Sequence, residues 1–240
     1  EWAFYAVAVL LVLALVKRFP YRLFAKTHHW MAAIYLVLAF HTLVLVQFSY
    51  WAQPVGWALA MLLASGTVSA VWVLLGRVGA QRTTHGVIES LQTYPALNVL
   101  ETTLRMDPAW PGHRPGQFAF AMSNPKEGPH PYTLASAWVP EDRRITFITK
   151  ALGDHTRRLP ERLRVGDQVT VEGPYGCFTF DDEKARQIWI GAGIGITPFI
   201  ARMKYLAQHK GQDARPVDLF HPTSDVDPQA IEKLSADSEA

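Results

Sequence analysis

The sequence predicts a multi-domain chain in which an α-helical transmembrane part is followed by an antiparallel β-barrel and then by an α/β part. Three observations predict this order. Long apolar stretches occupy the first third of the 240 residues, short β-type segments broken by Gly and Pro begin at Gly86, and an apolar strand then runs into a glycine-rich loop. We place the three domains at residues 1–80, 81–183 and 184–240.

Three apolar stretches form the predicted membrane part, from Trp2 to Val16, from Trp30 to Trp51 and from Val55 to Leu75. About 20 apolar residues cross the hydrocarbon core of a bilayer, so the second and third stretches predict transmembrane helices. The first stretch is shorter and begins beside Glu1 rather than after an initiator Met. We therefore expect that its N-terminal part is missing.

The charges around these stretches predict their orientation. The segment between the first two stretches carries only basic charges, whereas residues 50–55 carry none. The basic residues are Lys17, Arg18, Arg22 and Lys26. The positive-inside rule places this segment in the cytoplasm, and the third helix then returns the chain to the cytoplasm. The sequence thus predicts an integral protein of the plasma or inner membrane, with the lipid bilayer as a partner and cytoplasmic domains after residue 80.

Histidines on the second apolar helix are the first candidate ligands. His28 and His41 are thirteen residues apart, which is roughly 20 Å along a helix and too far for both to bind one metal ion. An imidazole inside a membrane needs a partner, and two separate haem groups would supply one to each histidine. Hydrogen bonding inside a helix bundle is the alternative. His29 competes with His28, and helical spacing does not choose between them.

The composition of the chain excludes several kinds of partner and site. A net charge of +2 gives no footprint for a nucleic-acid partner. Cys177 is the single cysteine, which excludes a disulfide, a zinc ribbon and an iron–sulfur cluster built from this chain alone. Four further histidines belong to no motif and are expected at the surface. They are His85, His113, His209 and His221.

Short segments of β-type composition make up the middle of the chain. Their spacing, with one helical segment at Asp154 to Leu163, predicts a small antiparallel barrel. The predicted strands are Gly86 to Ser90, Asn98 to Met106, Gln117 to Met122, Tyr132 to Trp138, Arg144 to Thr149 and Gln168 to Val171.

A glycine-rich loop follows the apolar strand at residues 188–190. Glycines let the pyrophosphate of a dinucleotide approach backbone N–H groups at a helix N-terminus, and proline suits the first helical turn. The residues concerned are Gly191, Gly193, Gly195, Thr197 and Pro198. Their spacing differs from the usual Gly-x-Gly-x-x-Gly fingerprint, so a tight turn without a ligand is the alternative. A strand at 217–220 and a helix from Pro228 complete a partial α/β nucleotide-binding domain.

Five motifs occur in an order that resembles the ferredoxin-reductase-like flavoproteins. They are Arg114-Pro115-Gly116-Gln117-Phe118, His130-Pro131-Tyr132-Thr133-Leu134-Ala135-Ser136, Gly153-Asp154-His155-Thr156, Glu172-Gly173-Pro174-Tyr175-Gly176 and Gly191 to Phe199. The His-Pro-Tyr-Thr motif, joined to histidines in apolar helices, resembles the ferric reductase and NADPH oxidase superfamily. That resemblance implies a haem domain, partial here, then an FAD-binding barrel and a pyridine-nucleotide domain, also partial.

The resemblance also implies roles for individual residues. His28 would bind the inner of two b-type haems and His41 the outer. Tyr132 and Thr133 would pack on the isoalloxazine of FAD and hydrogen-bond it. Further flavin contacts would come from His130, Pro131, Lys150, Gly153 and Thr156, and dinucleotide contacts from Gly191, Gly193, Gly195, Thr197 and Pro198. Taken singly, Tyr132 also fits a barrel-core aromatic, Lys150 a solvated strand end and Gly153 a turn glycine.

Two departures from the family pattern bear on function. The helix that supplies the second histidine to each haem is absent, and the nucleotide-binding domain stops early. The predicted function is transfer of electrons from cytoplasmic NAD(P)H through FAD and two haems to an external acceptor, a ferric chelate or dioxygen. The alternatives are a non-catalytic haem or membrane-anchor subunit, and electron transfer to a quinone or a periplasmic partner protein.

The choice between NADH and NADPH depends on the residues after the strand at 217–220. Asp225 lies where the family contacts the adenine ribose, and an acid there favours a free 2′-hydroxyl and repels a 2′-phosphate. No arginine lies between Arg215 and the C-terminus. We therefore expect a slight preference for NADH, or little discrimination.

Overall fold

The computed structural model describes residues 2–15, 21–125, 127–209 and 215–239, with side chains throughout except at residues 14, 21–26, 28, 238 and 239. The chain divides into two compact units, residues 1–81 and 82–240. The strands of the described residues all lie in the second unit.

Three α-helices form the first unit: α1 (Trp2–Leu15), α2 (Tyr21–Leu45) and α3 (Pro54–Leu74). α2 packs against both of the others. Where α2 meets α3, the Tyr35 hydroxyl donates to the carbonyl of Leu62 at 3.3 Å, and the backbone of Gly66 lies against the same hydroxyl. A side chain at residue 66 would displace the Tyr35 hydroxyl, so glycine allows the phenol to lie against α3.

One helix among the described residues, Pro54–Leu74, is long and apolar enough to cross a membrane. The apolar parts of the other two, Trp2–Leu13 and His29–Leu45, are shorter. The predicted span from Trp30 to Trp51 is wrong in its extent, because α2 ends at Leu45 and a 3₁₀ turn follows at Phe48–Ala52. The aromatic side chains of that turn lengthen the apolar stretch of the sequence without lengthening the helix.

Six strands begin the second unit: β1 (Thr83–Tyr94), β2 (Val99–Met106), β3 (Phe118–Met122), β4 (His130–Thr133), β5 (Arg144–Lys150) and β6 (Gln168–Tyr175). They pair antiparallel in the order β4-β3-β6-β1-β2-β5. A bridge between Leu134 and Phe147 joins the two ends of the sheet. Apolar side chains on alternate positions fill the interior, and Leu159 of α4 (Asp154–Arg162) packs into the same core.

The strand predicted from Tyr132 to Trp138 is shorter in the structure, since β4 ends at Thr133. Beyond it, the hydroxyl of Ser136 accepts the backbone N–H of Thr146 at 3.0 Å. A side chain thus replaces the strand carbonyl that would continue the ladder. Apolar composition alone does not reveal that replacement.

The α/β part contains two parallel strands, β7 (Gln187–Ile190) and β8 (Val217–Phe220), with α5 (Thr197–Gln208) between them and α6 (Pro228–Glu239) after them. Phe180, Trp189 and Phe199 pack together as its aromatic core. The predicted order of an antiparallel barrel followed by an α/β part is confirmed.

Candidate functional site

β4 carries four of the predicted flavin residues. Tyr132 is half-buried beside Phe147, and its hydroxyl lies 2.8 Å from His155 Nε2. Burial, and less strongly the charge of Glu127, raise the pKa of Tyr132 to about 12, so the phenol is protonated at neutral pH. Thr133 is half-buried at the end of the strand, whereas Pro131 is exposed.

A group of side chains that sequence reasoning missed holds Tyr132 in place. Glu127 accepts a hydrogen bond from His155 Nδ1 at 2.7 Å and pairs with Arg162, and these partners hold the pKa of Glu127 below its ordinary value. Because His155 Nδ1 donates to Glu127, Nε2 is left to accept from the Tyr132 hydroxyl. His155 also stacks on His130, with ring centroids 3.6 Å apart. No regular spacing in the sequence links these residues.

The loop before α4 provides the test of whether the protein fits a flavin. Gly153 is extended, with φ −143° and ψ 176°, and a Cβ added there would meet no atom within 4 Å. Neither backbone strain nor crowding therefore requires glycine at this position. The open space at Gly153 leaves room for an anionic group at the N-terminus of α4, so the loop fits the predicted pyrophosphate contact of FAD.

The side chain of Thr156 hydrogen-bonds the backbone of this loop. Its hydroxyl accepts the backbone N–H of Leu152 at 3.1 Å and that of Gly153 at 3.2 Å. The threonine predicted to touch the flavin thus shapes the loop, because its hydroxyl already serves two backbone donors.

The fold constrains the three glycines of the glycine-rich loop after β7 to different degrees. A Cβ on Gly191 would lie 2.8 Å from the Cα of Ile196, and Gly193 has a φ of +50°. Gly195 has neither restriction, since an added Cβ would meet nothing within 4 Å. The open space at Gly195 therefore fits close approach of a nucleotide phosphate.

Hydrogen bonds within this loop use the glycine N–H groups. The N–H of Gly191 donates to Phe220, that of Gly193 to Pro222 and that of Gly195 to Ala192, at 3.0, 3.1 and 2.9 Å. Thr197 is buried and its hydroxyl donates to the carbonyl of Ile194 at 2.7 Å, while Pro198 lies in the first turn of α5. These three N–H groups already donate within the protein. The loop therefore offers open space to a ligand, but not these three donors.

Lys150 and Asp225, predicted for two different ligands, contact each other. Lys150 Nζ donates to Asp225 Oδ2 at 2.9 Å, which holds the pKa of Asp225 below its ordinary value. Both line a cavity of about 150 Å³ between the barrel and the α/β part. Sequence reasoning did not find this pair, because Lys150 comes from the barrel, 75 residues before its partner.

Of the two predicted haem ligands, the structure describes the side chain of His41 but not that of His28. His41 is exposed on α2 beside the exposed apolar side chains of Val37, Phe40 and Val44. The side chain of His28 lies outside the described residues, so the choice between His28 and His29 stays a prediction. Within the described part of the chain, no group of three or more His, Cys, Asp or Glu side chains is arranged to hold a metal ion.

His113 is half-buried rather than exposed at the surface as predicted. It packs between Trp110 and Trp138, and its Nε2 donates to the carbonyl of Ser136 at 2.9 Å. Its Nδ1 has no hydrogen-bond partner among the described residues. Burial lowers the pKa of His113 to about 4, so this histidine is a neutral structural residue at pH 7.

Comparison with known proteins finds a family match within the second unit. Residues 87–179 match a family described as FAD-binding domain. The second unit shares its fold with solved structures: a cytochrome P450 reductase of Amycolatopsis superimposes with a TM-score of 0.53 at 22% identity, over 66% of this chain and 49% of that chain. The FAD/NAD-binding domain of a nitric oxide dioxygenase from Vibrio cholerae superimposes equally well, at 21% identity, over 65% of this chain and 70% of that one.

Curated relatives fall into several groups of electron-transfer proteins. A flavohemoprotein of Deinococcus radiodurans is 31% identical over 117 residues, 47% of this chain and 28% of that protein. Respiratory burst oxidase homolog protein F of Arabidopsis thaliana is 28% identical over 213 residues, 76% of this chain and 21% of that protein. The chain thus spans between a fifth and a third of the length of these relatives.

Proposed function

We propose that this chain is part of a membrane oxidoreductase that carries electrons from cytoplasmic NAD(P)H through FAD and two b-type haems to an acceptor across the membrane. The observation that carries the proposal is the order of its parts. α3, the helix with the length and composition of a span, ends at Leu74, and the FAD-binding barrel begins with β1 at Thr83. The proposed location is the plasma or inner membrane, with the second unit in the cytoplasm.

Two relatives support an acceptor of the proposed kind. The match to the respiratory burst oxidase homolog covers 76% of this chain, which is more than the second unit contains and so includes part of the first. Ferric reduction oxidase 2 of Arabidopsis thaliana is 34% identical over 83 residues, 32% of this chain and 11% of that protein. An oxidase and a ferric reductase among the relatives favour dioxygen or a ferric chelate.

Different residues of the second unit would contact different parts of FAD. Bound FAD would accept a hydride from the nicotinamide and pass its electrons on singly. Tyr132, positioned by His155, would present its ring to the isoalloxazine, and Thr133 would hydrogen-bond it. The space at Gly153 would admit the pyrophosphate to the first turn of α4, where the positive end of the helix favours an anion.

Haem is the part of the proposal that depends on residues beyond this chain. His28 and His41 are the proposed axial ligands, one for each haem, and each needs a second histidine from another helix. Haem would supply the one-electron redox steps across the hydrocarbon. The exposed apolar surface of α2 around His41 supports that role, because a porphyrin packs against apolar side chains.

The histidine assignment is tested by His41→Leu in the full-length protein reconstituted in vesicles. We expect loss of electron transfer to an acceptor on the far side, while NADPH still reduces FAD, because leucine has no lone pair for iron. His29→Leu is the matched control and should retain transfer. Transfer at the wild-type rate in His41→Leu would reject the assignment.

Electron transfer to a separate protein is the second candidate. The reductase component of propane 2-monooxygenase from Mycolicibacterium smegmatis is 26% identical over 125 residues, 50% of this chain and 35% of that protein. In that case the first unit would serve as an anchor, and His41→Leu would leave delivery to the partner unchanged.

A further inference from the structure

An ion pair between the barrel and the α/β part includes Asp225, the residue that the family resemblance places at the adenine ribose of the nucleotide. Lys150 is the last residue of β5, and Asp225 lies in the loop between β8 and α6. Their side chains are 24% and 40% exposed, so both remain accessible to a ligand from solvent.

The cavity beside this pair combines apolar walls with charged groups at one edge. Its lining includes the apolar side chains of Ile148, Ile194 and Val226, together with Gly193 of the glycine loop. Apolar surface suits a purine ring, and polar groups at one edge suit the ribose. The ion pair is thus placed to meet the ribose hydroxyls or a phosphate attached to them.

The two members of the pair favour different nucleotides. A carboxylate accepts a hydrogen bond from a free 2′-hydroxyl and repels a 2′-phosphate, whereas an ammonium group attracts the phosphate. While the two groups are paired, each offsets the charge of the other. The expectation of NADH preference considered Asp225 alone, but the structure places a cation 2.9 Å from it.

We propose that Lys150 and Asp225 together determine nucleotide preference, the lysine acting for NADPH and the aspartate for NADH, with little discrimination while both are present. This inference rests on the proposed function. It assigns to Lys150, a residue of the flavin barrel, a contact with the 2′-position of the nucleotide.

Other charges around the cavity are paired elsewhere. Lys233 Nζ lies 2.7 Å from both carboxylate oxygens of Glu101, and Lys204 lies 3.9 Å from Asp237. Lys233 therefore provides a matched control: it lines the same cavity and also joins α6 to the barrel, but its partner is not Asp225.

The test compares kcat/KM for NADH and NADPH in the full chain purified in detergent and loaded with FAD. Lys150→Met should raise the NADH to NADPH ratio, and Asp225→Asn should lower it, each by about tenfold or more, the range of one charged hydrogen bond. The double variant should return toward the wild-type ratio, and Lys233→Met should leave the ratio unchanged.

A binding measurement separates this inference from the proposed function. Without FAD, the affinity for 2′,5′-ADP relative to 5′-AMP should fall in Lys150→Met and rise in Asp225→Asn. If neither nucleotide reduces FAD in the wild type, the proposed function fails. If FAD is reduced but the two variants move the ratio in the same direction or not at all, or if Lys233→Met moves it, the inference about Lys150 and Asp225 is overturned.

Discussion

At the residue scale, the glycine loop shows how differently three identical residues are constrained. Gly191 is fixed by packing and Gly193 by its left-handed backbone, so the fold alone explains both. Gly195 has open space around it. Its identity is therefore informative about a ligand in a way that the other two are not.

Gly195→Val tests that difference. Because a Cβ added at this position meets no atom of the protein within 4 Å, we expect normal folding and normal FAD content. It would occupy the space proposed for the nucleotide phosphates, so KM for the nucleotide should rise by about tenfold or more, the effect of losing roughly 1.4 kcal/mol of binding. Gly195→Ala should have a smaller effect in the same direction. An unchanged KM in Gly195→Val would remove the loop from the nucleotide site.

Acid stability provides a second test at this scale. The pKa of His113 is about 4 in the folded protein, below its ordinary value of about 6.5, so the unfolded chain binds the extra proton between these values. His113 in its neutral form contributes about 3 kcal/mol to the free energy of unfolding. This contribution is complete above pH 6.5 and is lost as the pH falls toward 4. Urea denaturation of the wild type and of His113→Gln at pH 7 and pH 5 measures it. The glutamine variant should lose less stability on acidification; an equal loss would contradict the burial of a neutral imidazole.

Motif residues were visible in the sequence, whereas the contacts of Glu127 and His155 that support Tyr132 were not. Tyr132 and Thr133 belong to a recognisable motif on one strand. Glu127 and His155 act on Tyr132 from separate segments, and contacts of that kind depend on tertiary structure rather than on spacing.

At the element scale, α4 shows which boundaries sequence patterns define well. The sequence predicts a helix from Asp154 to Leu163, and the structure has Asp154–Arg162, because glycine and threonine mark its start by local chemistry. The end of α2 was missed, since an aromatic turn after Leu45 is as apolar as a helix. Capping residues signal a boundary directly, whereas hydrophobicity alone does not.

Thr156→Ala tests the start of α4. Loss of a hydroxyl that serves two backbone donors should lower the free energy of unfolding by about 1 kcal/mol, the usual effect of removing a helix cap. FAD should also bind more weakly, because the loop at Gly153 loses its support. Thr156→Ser keeps the hydroxyl and should resemble the wild type in both properties. Equal behaviour of the alanine and serine variants would show that the methyl group, not the hydroxyl, matters.

At the scale of the whole molecule, the chain joins an apolar helical unit to a second unit that contains a match to an FAD-binding domain. The order of the barrel and the α/β part followed from composition and turn residues. The pair formed by Lys150 and Asp225 could not be predicted from the sequence, because it depends on how the barrel packs against the α/β part. Haem binding at His28 and His41 is proposed from the sequence, and an absorption spectrum measures it directly.

The absorption spectrum of the full-length protein, recorded without oxygen before and after addition of NADPH or NADH, tests the central claim most directly. We expect flavin and b-type haem bands together in the oxidised protein, with both flavin and haem reduced after the nucleotide is added. A protein that contains flavin reducible by the nucleotide but no haem would contradict a transmembrane flavocytochrome and favour delivery of electrons to a separate partner.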